Sequence, residues 1–504
     1  MCGDELTGAL GSCLLLPVGN VFAPTSMVQG AATCVTSKKI VPTRIFDQGH
    51  LLDSKNQDES AVVRDRDIPV VLRSMIGQGI FSSSCGVLQN DIDALEDLMD
   101  SDQVAIVFDL DALRASLTSV KSTFPPSWRH CFALKSCPLS FVAQEVIRAG
   151  VGIEAASFGE LYMGLAHGCP SSSLVFDSPA KTEAELVLAL RKGILVNVNS
   201  LEELDRVAAI IRTGEGAKKR CVGGDVSKGT PSAFTQARVG VRLNPLIGTG
   251  TIKELSVSHA TSKFGVPATP ENQQVVTRAF AKYPWLVGLH AHVGSQGCSL
   301  EQLAEGAALL VAVADDIDRV EGAGRVTVLD IGGGLPANYT SEDASPTFQQ
   351  YCSVLRHRVP SLFSPDNRRT VVTEFGRALV AKTSFTVSRV EYVREHRILN
   401  LDLKDEQGEG EECSVRGGSI DSTGDSKEDF EVKVDRQSHI SQTLITHMGS
   451  DLFVRECHNP STYPHRLSMF NEHGSPLSGE TIPTDIAGPM CFNGDYLARG
   501  ASLP

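Results

Sequence analysis

The chain has 504 residues, 41% of them hydrophobic, and a formal net charge of -14. That length supports more than one domain. The acidic balance, with no Lys/Arg cluster, excludes nucleic acid and an anionic membrane as main partners, and no run of about 18 apolar residues offers a membrane span. Thirteen cysteines, odd in number and without CxxC pairing, read as free thiols rather than a disulfide framework or zinc site.

Residues 1–68 form the first segment. Between Glu5 and Asp47 there is no acid, and Ser, Thr, Gly and small apolar residues dominate. The composition predicts a disordered extension, with an organelle transit segment, such as a plastid one, as the alternative to a cytoplasmic protein. Residues 69–103, with "DIPVVLRSMIGQGI" contributing a strand near residue 70, are expected to open a mainly β domain.

Residues 104–377 alternate short apolar runs with helical patterns. The predicted strands are "CFALK" (131–135), "GIEAAS" (152–157), "LVFDSP" (174–179), "ILVNVNS" (194–200), "ARVGVRLNP" (237–245), "VGLHAHVGS" (287–295), "RVTVLDIGGG" (325–334) and "VVTEFG" (371–376). Helical stretches follow the first four, several ending in the glycine that terminates helices. Eight such repeats predict an α/β fold, a (β/α)8 barrel with its site at the C-terminal strand ends. In "VGLHAHVGS", alternation puts Val287, Leu289 and Ala291 on the helix side and turns His290 and His292 inward.

Residues 378–504 differ in kind. "TSFTVSRVEYVREH" and "QTLITHMGSDLF" read as strands of a second, mainly β domain. They are separated by an acidic, Gly/Ser-rich insertion at 404–431 that reads as a disordered loop.

The barrel's strand ends gather Lys135, His292, Ser295, the run Gly332, Gly333, Gly334, and Glu374 with Arg377. Each alone has an ordinary structural use. Together, an amine, a glycine-rich loop and an arginine suit a phosphate beside a reactive lysine. Pyridoxal phosphate needs that set, with an acid for the pyridine nitrogen and an imidazole for the ring face.

The segments "FALKS", "GIEAASFGELYMGLAHG", "SKFGV", "HAHVGSQG", "LDIGGGLP", "TEFGRALVA" and "GPMCFNGD" stand in the order found in the fold-type III pyridoxal-phosphate decarboxylases of ornithine, diaminopimelate or arginine, which the chain resembles over about residues 100–500. The resemblance implies a homodimer with shared active sites and loss of an amino acid's α-carboxylate as carbon dioxide. It implies that Lys135 forms the Schiff base, that His292 stacks on the ring and that Glu374 faces its nitrogen. Glu154, Ser295, Gly332, Gly333, Gly334, Gly376 and Arg377 would complete the cofactor site. Cys491 would return the proton to Cα, and Arg455 and Asp495 would meet the substrate.

Departures from the family pattern shape the substrate expectation. Phe492 stands where ornithine and diaminopimelate enzymes carry an acid, His447 and Met448 replace the ornithine enzymes' acidic position, and Glu154 replaces the usual aspartate. With Arg455 kept, a diaminopimelate-like substrate is favoured over ornithine. The family's tyrosine-bearing C-terminal segment has no counterpart before Pro504, so an incomplete gene product is also expected. A catalytically silent homologue acting as a regulatory binding protein and an amino-acid racemase remain alternatives.

Overall fold

The computed structural model describes residues 13–17, 68–77, 103–216, 234–248, 250–252, 257–398, 414–416, 431–433, 439–458, 460, 463 and 465–504. In chain order, β1 (Cys13–Pro17) and α1 (Ile68–Gly77) precede β2 (Val104–Phe108) and α2 (Leu110–Thr123). The barrel repeats are β3 (Arg129–Ala133) with α3 (Ser140–Arg148), β4 (Gly152–Ala155) with α4 (Phe158–Ala166), β5 (Leu174–Phe176) with α5 (Glu183–Lys192), and β6 (Leu195–Val198) with α6 (Leu201–Gly216). Next come β7 (Arg238–Asn244), the short β8 (Val266–Pro267), α7 (Pro270–Lys282), β9 (Leu286–His290), α8 (Leu300–Glu321), β10 (Val328–Asp330), α9 (Phe348–Arg358), β11 (Thr370–Phe375) and α10 (Arg377–Val380). The remainder is β12 (Ser384–Ile398), β13 (Ser414–Arg416), β14 (Glu431–Lys433), β15 (His439–Thr446), α11 (Val454–His458), β16 (Ser468–Phe470), β17 (Ile482–Ala487) and β18 (Tyr496–Leu503).

Two compact units result, one containing Ile106–Phe385 and the other Pro69–Ala105 with Thr386–Pro504. In the first, eight parallel strands run β6-β5-β4-β3-β11-β10-β9-β7, and β6 pairs with β7 to close the barrel. Each of the eight predicted runs supplies one strand. Alternation sorts their side chains: Phe132, Ile153, Phe176, Val196, Val241, Leu289, Leu329 and Phe375 join the helices in the outer core. Cys131, Val175, Leu195, Val328 and Val372 form a separate apolar cluster. Two residues further along several of these strands, the same side carries polar groups instead. Capping boxes at Thr182, Ser299 and Thr347 start α5, α8 and α9, and Gly193 ends α5 in the left-handed conformation.

The second unit is built on a sheet ordered β16-β1-β12-β15-β17-β18, with β2 paired to β12. Its small core includes Val390, Leu444, Met448, Phe453 and Ile486. The expected strand near residue 70 is instead the helix α1. Among its described side chains Ile68, Leu72 and Met75 are buried, at i, i+4 and i+7, a helical spacing that prevails over the β-branched run. The expected strand at 442–453 ends at Thr446, and β15 begins three residues earlier than expected. The predicted extension 1–68 and insertion 404–431 lie mostly outside the described residues. Within the expected loop, however, β13 pairs antiparallel with β14, which begins at the loop's last residue, so this part of the insertion forms a hairpin rather than an irregular loop.

Candidate active site

Lys135 lies one turn past the strand rather than on it. β3 ends at Ala133, and Leu134–Ser136 form a 3-10 turn closed by the Cys137 N–H on the Leu134 carbonyl. The turn brings the ammonium to Glu154 on β4, Nζ to Oε2 at 2.6 Å. Lys135's side chain is 42% exposed, whereas Glu154's is wholly buried. Burial works against the Lys135 charge, but the carboxylates of Glu154, Glu374 and Asp177 outweigh it and raise the amine above its ordinary value. Burial likewise pushes the Glu154 carboxyl up, to about 8, against the pull of Lys135. At 2.6 Å the contact is an ion pair, and burial makes Glu154 an unusually strong base within it.

Glu374 projects from β11 and is 3% exposed. Burial tends to raise its carboxyl, but the charges of His290 and Lys135 outweigh that and lower it below the usual range. Its Oε1 is buried without a hydrogen-bond partner. Next to it Asp330, at the end of β10, is driven well up by burial, by the Glu374 charge and by its hydrogen bond with Glu374. Asn197 Nδ2 donates to Asp330 Oδ2 at 2.9 Å, and the Gly332 N–H donates to Oδ1 at 3.1 Å.

The glycine run fits where no side chain could. A Cβ on Gly333 would lie 1.9 Å from the Glu374 carbonyl oxygen. One on Gly334, whose φ is +95°, would lie 2.0 Å from that of Gly294. The Gly333 N–H donates to His292 Nδ1 at 3.3 Å, which leaves the imidazole proton on Nε2. Burial, with the charges of Arg242 and Lys135, holds His292 down to about 3, so it is neutral at physiological pH. Arg377 opens α10 immediately after Gly376, and its guanidinium donates to the Tyr339 hydroxyl at 2.6 Å.

Lys135, Glu154, Asp177, Arg242, His290 and Glu374 thus form one electrostatic network in the barrel unit. His292 and the glycine run join it by hydrogen bond. The inward turn expected for His290 is observed, whereas β9 stops at His290, so His292 lies in the following loop. Three participants were not singled out in the sequence: Asp177, Arg242 and Asp330. Each is a charged residue in or just past a buried apolar strand, the signal that marks them.

Cys491, Arg455 and Asp495 belong to the second unit. Cys491 is the one exposed thiol among the described free cysteines, and Phe492 is 65% exposed. Asp495, expected to meet the substrate, has a structural task in this unit. It is 2% exposed and accepts the N–H groups of Ser450 and Met490, tying two turns together. Gly449 and Gly488 approach it too closely to carry a side chain.

The profile described as pyridoxal-dependent decarboxylase, pyridoxal binding domain, matches residues 110–381. A diaminopimelate decarboxylase of Aquifex aeolicus is 24% identical over 290 residues, 57% of this chain and 63% of that protein. A probable chloroplastic diaminopimelate decarboxylase of Oryza sativa subsp. japonica is 28% identical over 377 residues, 74% of this chain and 62% of that one. The chain therefore spans about six tenths of the length of these relatives. The crystal structure of Helicobacter pylori diaminopimelate decarboxylase complexed with L-lysine superposes with a TM-score of 0.56 at 20% identity. It covers 82% of this chain and 85% of that one, a likeness of fold. With its pyridoxal-binding domain matched over more than half its length, the chain belongs to the pyridoxal-dependent decarboxylase family.

Proposed function

We propose that this chain decarboxylates an amino acid with pyridoxal phosphate as cofactor. The observation that carries the reading is a buried, ionised Glu374 with one unpartnered carboxylate oxygen, in one network with the amine of Lys135. That oxygen suits a protonated pyridine nitrogen. The Gly332 and Gly333 N–H groups are already engaged by Asp330 and His292, so those glycines serve the shape of the cradle. Gly334 and Ser295 would hold the phosphate with Arg377, whose guanidinium also donates to Tyr339, and Gly376 admits the turn into α10.

When bound, the cofactor supplies an electron sink for the pair left on Cα as the carboxylate departs. The chain's own residues prepare for this. Glu154 is placed to take the proton from Lys135 Nζ, which would free the amine as a nucleophile. Glu374 keeps the ring nitrogen protonated. Neutral His292 offers an uncharged face to the ring. Cys491, an exposed thiol, would be lent by one copy to the site of the other in the shared-site dimer, to return a proton to Cα. Arg455 receives a distal substrate carboxylate, which favours a diaminopimelate-like substrate, in keeping with the names of the relatives. The reading includes a homodimer with shared sites and, given the chloroplastic relative and the composition of residues 1–68, a plastid destination. Among the described residues no helix is long and apolar enough to cross a membrane.

The test is carbon dioxide release from diaminopimelate, lysine, ornithine and arginine by the cofactor-loaded protein. Release is expected with diaminopimelate first. A loaded protein releasing none from any of them would sink the reading in favour of a silent binding homologue.

A further inference from the structure

Behind Glu374 lies a second set of buried groups to which the mechanism gives no task. Asp177 follows β5 and accepts from Arg242 Nη1 on β7, 3.1 Å to Oδ2. Its other oxygen, Oδ1, lies 3.6 Å from His290 Nδ1, and the opposite ring nitrogen, Nε2, lies 3.6 Å from Glu374 Oε2. All three side chains are buried, and their ligand atoms lie within 4.8 Å of one another. Neither nitrogen of His290 has a hydrogen-bond partner, nor has Asp177 Oδ1. Burying an imidazole costs free energy unless its nitrogens are compensated, and here each faces a carboxylate.

The charges around this chain of groups decide its role. Asp177, Glu374 and Glu154 are carboxylates just past β5, on β11 and on β4, while burial and Glu374 push the Asp330 carboxyl on β10 well up. Lys135 and Arg242 are the cations; Lys181, also near Asp177, is taken up by Glu203 at 3.0 Å, and His292 is neutral. Three carboxylates thus face two committed cations. His290 lies between Asp177 and Glu374, and its interaction with Glu374 is the foremost of those that lower that carboxyl against burial. The same three side chains could satisfy a metal ion, but the neighbouring Arg242 and Lys135 disfavour a further cation beside them.

We propose that Asp177 and His290 are positioning residues that keep Glu374 ionised where it meets the ring nitrogen of the cofactor. Asp177, anchored by Arg242, holds the imidazole, and the imidazole holds the carboxylate. This rests on the cofactor reading above.

The test compares affinities for pyridoxal phosphate and for its deaza analogue, in which carbon replaces the ring nitrogen, between pH 6 and 9. In the unaltered protein the preference for pyridoxal phosphate should be strong and flat with pH. His290→Asn should cut that preference at least tenfold at pH 7 without weakening the analogue, and the preference should recover as rising pH ionises Glu374. Asp177→Asn should act in the same direction, and it keeps the test decisive if His290→Asn fails to fold by circular dichroism. A preference in folded variants as large and as flat as in the unaltered protein would overturn the proposal. Failure of the unaltered protein to bind pyridoxal phosphate is a separate result, which overturns the cofactor reading itself.

Discussion

A carboxylate that meets a ring nitrogen must stay ionised in a place that resists charge, and Glu374 does so only through its neighbours. Glu374→Ala removes one partner of a buried charged set, a loss worth about 3 to 5 kcal/mol, so turnover should fall at least a hundredfold at about 1.4 kcal/mol per tenfold. Near-normal steady-state turnover would contradict this. Glu154→Gln removes the base that faces the ammonium and should slow attachment of the cofactor at least tenfold by stopped-flow absorbance; an unchanged rate would remove Glu154 from that role. Asp495 tests the opposite case, a carboxylate with a structural task. Asp495→Asn should cost on the order of 1 to 3 kcal/mol in urea unfolding, because one oxygen that accepts an N–H becomes a donor facing it.

Between elements, His130 joins β3 to β11 through a 2.8 Å hydrogen bond between its Nδ1 and the Thr373 hydroxyl. Burial, helped by Lys121, lowers its pKa from 6.5 to about 4. The unfolded chain therefore takes a proton below pH 6.5 that the folded one refuses until about 4. Stability from this group is complete above 6.5 and is lost as pH falls through that window, on the order of 3 kcal/mol in all. His130→Gln should flatten the pH dependence of the urea midpoint between pH 7 and 4.5; an equal slope in the variant would assign the effect elsewhere. Element identity was legible where an apolar run sits between turn residues, as in "LVFDSP" and "ILVNVNS". It was not legible at α1, where "IPVVL" favours a strand locally but the spacing of Ile68, Leu72 and Met75 buries a helical face. The strand expected to run to Lys135 ends at Ala133, and the turn that aims the lysine at Glu154 depends on the Cys137–Leu134 hydrogen bond, which no propensity reveals.

At the scale of the whole chain, the order of motifs carried the family and the barrel, because eight strand ends in sequence must share one rim. What the order could not carry was the interior network. Asp177, His290 and Glu374 lie 113 and 84 residues apart in sequence and meet only after β6 pairs with β7 to close the sheet. Strand alternation identified which side His290 takes, but only closure supplies its partners. The account's central claim is that Lys135 carries the cofactor. Its most direct test is borohydride reduction of the full chain incubated with pyridoxal phosphate, followed by peptide mapping of the label. Label confined to Lys135 is the predicted result; a folded protein that takes no label, or takes it on another lysine, would contradict the account.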